Sequence, residues 1–205
     1  METTGFPQEM TMSKALSTIR DEHRSIGAIL HGMEYLVGEI NARKTKIDPR
    51  VFAAMLYYLD TFSERYHHPK EDRYLFAPLK RHGRAAEGVV AQLEHEHAEG
   101  GRALRRLEQC LVRYEEGGDR EFPAFARAVD EYVRGYWEHM RKEEEELFPL
   151  AEKLLTPDDW RVIDGAFAEN RDPLAAERDG RDFQKLFTRI VNMAPPPIGV
   201  GPRSR

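Results

Sequence analysis

The chain has 205 residues, 40% hydrophobic and 33% charged, with both signs interspersed and a net charge of −5. Such a balance buries a real core and gives no electrostatic case for nucleic acid or an anionic membrane. A single cysteine, Cys110, excludes a disulfide framework and a thiolate metal site.

Residues 1–12 read as an N-terminal arm, and "METTGFPQEMTMSK" is not a signal peptide. From Ser13, a plausible N-cap, Ile19, His23, Ile26, Leu30, Met33 and Val37 recur at helical spacing up to about "NARKTKIDP". Asp48 and Pro49 open a second helix reaching about Phe76, with Val51, Phe52, Met55, Leu59 and Phe62 on its apolar side. "KRHGR" turns at Gly83. A third helix, about Ala85 to Glu115, carries Val90, Leu93, His97, Leu104, Leu107 and Leu111 on one seam, and "EEGGD" breaks it. A fourth, about Pro123 to Leu155, aligns Phe125, Val129, Tyr132, Tyr136, His139, Glu143 and Leu150.

Four long helices on short connections predict an all-α, up-down-up-down four-helix bundle over residues 13–155. Residues 156–205 predict a C-terminal extension. It holds one or two short helices, the first capped at Thr156, and a Pro-rich tail; Trp160, Phe167, Phe187 and Ile190 should dock it on the bundle. No apolar run approaches the ~18 residues of a membrane span. A cytoplasmic location is expected, with no nucleic-acid or membrane partner and with any protein partner unidentified.

The chemistry lies in a repeat. "HHPKEDRYLF" from His67 and "HMRKEEEELF" from His139 both place Glu four residues after His and Leu-Phe four further on. Residues four apart share a helix face, so His67 with Glu71, and His139 with Glu143, can point at one object. A lone pair of this kind is usually surface decoration. Here it occurs twice, and the other two helices each put one histidine on the core seam, His23 and His97. At about 100° per residue, His67 flanks the apolar side of its helix, His68 lies nearly opposite it, and His95 faces solvent. His31 and His82 follow no pattern and read as surface residues. Glu144 stays a second candidate beside Glu143.

Four histidines and two carboxylates exceed one tetrahedral zinc site and suit two six-coordinate ions. Two nitrogens per ion, two bridging carboxylates and an oxo, hydroxo or water bridge leave positions open for a small ligand. A proton donor near them, with Tyr35, Tyr66, Tyr132 and Tyr136 as candidates, favours turnover; a dry pocket favours reversible binding.

"RDEHRSI", "HHPKEDRYLF", "EHEHAEGGRAL" and "HMRKEEEELFP", in this order, resemble the hemerythrin-like (HHE cation-binding) family over about residues 13–155. The resemblance implies a non-haem di-iron centre, with His23 and His67 on one iron, His97 and His139 on the other, and Glu71 and Glu143 as bridges. It implies a diatomic or peroxide partner (dioxygen, nitric oxide or peroxide), met as sensor, carrier or stress-defence protein. Oxygen carriers of that family bring a His-x-x-x-His pair from the third helix; here Leu93 stands four before His97, and only a local distortion would recruit His95. The chain also resembles proteins proposed to repair nitric-oxide-damaged iron centres, which usually carry a cysteine-containing N-terminal domain; the arm here has none. Two other readings compete. A ferritin-like carboxylate site would use Glu64-x-x-His67 and Glu94-x-x-His97. A non-catalytic interaction module would use metal only as a staple.

Overall fold

The computed structural model describes residues 13–42, 46–168, 188, 190–192, 194, 196 and 198–199. The N-terminal arm, Phe187 and most of the second tail helix expected from the sequence lie outside these residues. Among the described residues there is no strand. Four long helices pack as a bundle: α1 (Lys14–Asn41), α2 (50–81), α3 (Glu87–Gly117) and α4 (122–154). A short α5 (Pro157–Phe167) follows.

The apolar seams bury as two clusters. One gathers Ile26, Met33, Phe52, Phe62, Leu104, Leu111, Phe125 and Met140. The other gathers Leu16, Ile19, Leu75, Leu79, Val90, Leu93, Leu147 and Phe148. Each long helix passes through both clusters, in the opposite sense to the helix before it. On every helix the residues between the two clusters are polar: His23, then His67 to Glu71, then His97, then His139 to Glu143. The sequence therefore builds a polar layer sealed above and below by hydrocarbon.

Helices α2 and α4 are not uniform. Wide π-type turns occupy Leu59–His67 and Asp72–Phe76 in α2 and Glu143–Leu147 in α4. A proline stands two residues beyond the end of each stretch: Pro69, Pro78 and Pro149. Proline offers no N–H and clashes with the carbonyl four residues back. A widened turn just before it removes that conflict, so the helix continues instead of breaking. This is why α2 overruns its expected end near Phe76 and stops at Arg81, before Gly83 at φ 138°.

Helix α5 clips the start of α1. The Ser13 hydroxyl donates to Asp164 Oδ1 at 2.8 Å, and the Ala15 N–H donates to the same oxygen at 2.9 Å. Thr156 and Asp159 form a reciprocal capping box at the start of α5. Phe167 and Ile190 are buried and Trp160 packs partly buried against the core.

Candidate metal centre

The polar layer brings His23, His67, Glu71, His97, His139 and Glu143 into one pocket, each at most 9% exposed. Glu71 Oε1 lies 3.9 Å from His23 Nε2 and 3.5 Å from His67 Nε2, while its Oε2 lies 3.7 Å from His97 Nε2. Glu143 does the same in mirror fashion. Its Oε2 is 3.1 Å from His23 Nε2, and its Oε1 is 3.8 Å from His97 Nε2 and 3.6 Å from His139 Nε2. Each carboxylate thus gives one oxygen to the His23–His67 side and one to the His97–His139 side. The Nε2 atoms of His97 and His139 are 3.2 Å apart. Neighbouring donors held about 2.1 Å from one ion and at right angles are about 3 Å apart, close to these separations.

The other imidazole nitrogen is tied down every time. His67 Nδ1 pairs with Glu22 at 2.8 Å, His97 Nδ1 with Asp72 at 2.8 Å, His139 Nδ1 with Glu96 at 2.9 Å, and His23 Nδ1 with Glu144 at 2.8 Å. An Nδ1–H that donates to a carboxylate leaves the Nε2 lone pair facing inward, as a metal-ligating imidazole requires. These four contacts form a closed ring. An acid on α1 holds the histidine of α2, one on α2 holds that of α3, one on α3 holds that of α4, and one on α4 holds that of α1. Each acid is the sequence neighbour of a pocket residue. Glu144, a candidate ligand from the sequence, is one of these outer acids and lies on the far side of His23.

The donor set fits cations and little else. His23 Nε2, His67 Nε2 and all four oxygens of Glu71 and Glu143 are buried without a hydrogen-bond partner of good geometry. Unpartnered buried carboxylates are costly, and a divalent ion satisfies several at once. The protonation pattern says the same. Burial pushes the Glu71 carboxyl well above its usual range, and the neighbouring Glu143 and Glu22 push it further. Burial also opposes the charge on Glu143, yet His139, His23 and His97 outweigh it and hold the carboxyl down at about 2. Burial pulls the His23 imidazole down, but Glu143 and Glu144 prevail and raise it to about 9. Side chains alone keep the pocket's charge balanced by holding protons that a metal would displace.

The structure corrects the sequence reading at His68. It was expected to face away from the core, and it is buried at 5% exposure beside His97 and His139. The nine residues before it form π-type turns. Each residue of such a turn advances the helix face less than an α residue does, so the lag accumulates and carries His68 inward with His67. The prolines of "HHP", "FAP" and "LFP" were the available signal. His95 is exposed, as is His31, and His82 is half-buried against Asp159 at 2.8 Å. The carboxylate-rich alternative loses one of its acids: Glu94 faces Lys80 Nζ at 2.6 Å, outside the pocket.

The fold and this pocket define a helical bundle with a buried His/Glu cluster able to hold metal. The hemerythrin HHE cation binding domain family matches residues 14–151. The chain belongs to that family. It is 28% identical over 134 residues to the iron-sulfur cluster repair protein YtfE of Musicola paradisiaca (strain Ech703), an overlap covering 64% of this chain. The chain spans 60% of that relative's length. No solved structure matches it. None of the described helices is long and apolar enough to cross a membrane.

Two outcomes are expected. Glu22→Ala, which frees His67 Nδ1, should weaken metal binding by about 10- to 100-fold, read from competition with a chelator. Unchanged affinity would show that the outer acids do not position the ligands. Loading ferrous iron at pH 7 in weak buffer should release protons, because His23 holds one up to about pH 9 and burial favours the protonated form of Glu71. Iron affinity should accordingly rise with pH and fall on acidification. An indicator dye reporting no proton release would contradict this charge pattern.

Proposed function

We propose that the chain is a non-haem di-iron protein whose two ions share Glu71 and Glu143 as bridges. His23 and His67 would hold one ion and His97 and His139 the other. The observation that carries this reading is the division of both carboxylates, one oxygen toward each histidine pair. A single ion would have no use for that arrangement. The bundle of residues 13–155 is the functional unit in this reading, and the tail braces it through Asp164. A cytoplasmic location suits the single, half-buried cysteine.

Bound iron would supply one-electron redox chemistry and open positions for a small molecule: dioxygen, nitric oxide or peroxide. The chain's own residues do the rest. The outer acids fix the imidazole tautomers. The two apolar clusters keep bulk water out. The name of the YtfE relative supports a place in oxidative or nitrosative stress defence, as against plain oxygen transport.

Freshly purified protein should contain about two irons per chain, with near-ultraviolet and visible bands that bleach on anaerobic reduction and return in air. Glu143→Ala should lower the iron content to one or none. One zinc per chain, or no metal and no band, would overturn the proposal.

A further inference from the structure

A second feature adjoins the pocket. A cavity of about 190 Å³ opens among α2, α3 and α4, with His139 as part of its wall. At about 30 Å³ per water, it holds several waters or one small molecule. Three of the residues around it each carry a polar atom buried without a hydrogen-bond partner: Glu64 Oε1, His68 Nδ1 and Tyr132 OH. His68 and Tyr132 are themselves 5% and 7% exposed. Stranding one such atom costs stability, and three on residues around the same space point to a polar occupant.

His68 stands close enough to His97 and His139 to suggest a third ligand on their ion. Its ring excludes that. The His68 and His97 rings are stacked, with planes 14° apart and centroids separated by 4.1 Å. An ion bound by an imidazole lies in the plane of the ring. Two stacked, nearly parallel planes do not share a point between the rings, so an ion on His97 Nε2 stands off the plane of His68. Moreover, His68 Nε2 is engaged by the Tyr136 hydroxyl at 2.9 Å, and Tyr136 is held in turn by Ser63. If Tyr136 donates to Nε2, the neutral His68 ring carries its proton on Nδ1. His68 Nδ1 lies 3.7 Å from Glu64 Oε1, too far for a direct bond, and is left without a partner.

We propose that this cavity is the chamber in which the small molecule meets the metal centre. There His68 Nδ1–H and the Tyr132 hydroxyl hydrogen-bond its outer, electronegative atom. The inference rests on the di-iron reading and specifies which ligand the centre accepts. The cavity lining includes Glu96, Glu99 and Glu131. Those carboxylates repel anions and leave neutral molecules free to enter. The favoured ligand is thus a neutral diatomic or hydrogen peroxide that gains negative charge at its outer end once bound. Donors placed at that end stabilise the charge as it develops.

The test uses ferrous-loaded full-length protein and nitric oxide as the probe, comparing the wild type with His68→Leu and the milder Tyr132→Phe. Iron content is read first, then the nitric oxide dissociation rate. Iron should stay near the wild-type level in both variants, and dissociation should quicken about tenfold. Loss of iron from His68→Leu would make His68 a ligand and overturn the proposal. Retained iron with unchanged dissociation in both variants would show that the cavity is not the chamber. Wild-type protein that takes up no iron would instead overturn the di-iron reading, and this inference with it.

Discussion

The structure depends on two carboxylates, Glu71 and Glu143, placed at 0% exposure in the middle of a helical bundle with all four oxygens unpartnered. Water cannot reach them and no hydrogen bond of good geometry satisfies them; His23 offsets part of their charge. Only histidines converge, four of them presenting Nε2. Burying two acids this way is expensive, and breaking up such a group is more so. Bound metal is the occupant whose charge and donor preference would match this group. The apolar clusters on either side then have a second role beyond stability. They hold the dielectric low, which strengthens each electrostatic contact inside the layer.

The ring of outer acids connects the centre to the fold. Glu22, Asp72, Glu96 and Glu144 each reach from one helix to the histidine of the next. The contacts close around the bundle, so a shift of any one helix turns an imidazole on its neighbour. Through this ring, a metal bound here would couple to helix packing. Asp72, Glu96 and Glu144 are partly exposed while Glu22 is wholly buried. The Glu22–His67 contact is therefore the most buried of the four.

Much of this was legible because an α-helix turns regularly. The i,i+4 spacing of His67 with Glu71 and of His139 with Glu143, plus one seam histidine on each remaining helix, was enough to bring six residues together on paper. The outer acids were visible in "DEH", "HEH", "KED" and "EEEE". Their role was hidden because each serves a histidine on a different helix from its own sequence neighbour, which spacing along one chain segment does not reveal. His68 was misread for a sharper reason: a fixed 100° step fails where Leu59–His67 widens into π-type turns. A proline shortly after such a segment warns that the step has changed. The cavity lined by Glu64, His68 and Tyr132 needed three helices in place before it could be seen.

The most direct measurement is anomalous diffraction at the iron absorption edge from crystals of iron-loaded protein. The account predicts two peaks per chain, each in contact with one oxygen of Glu71 and one of Glu143, and each flanked by one histidine pair. A single peak, or two peaks that do not share both carboxylates, would contradict it.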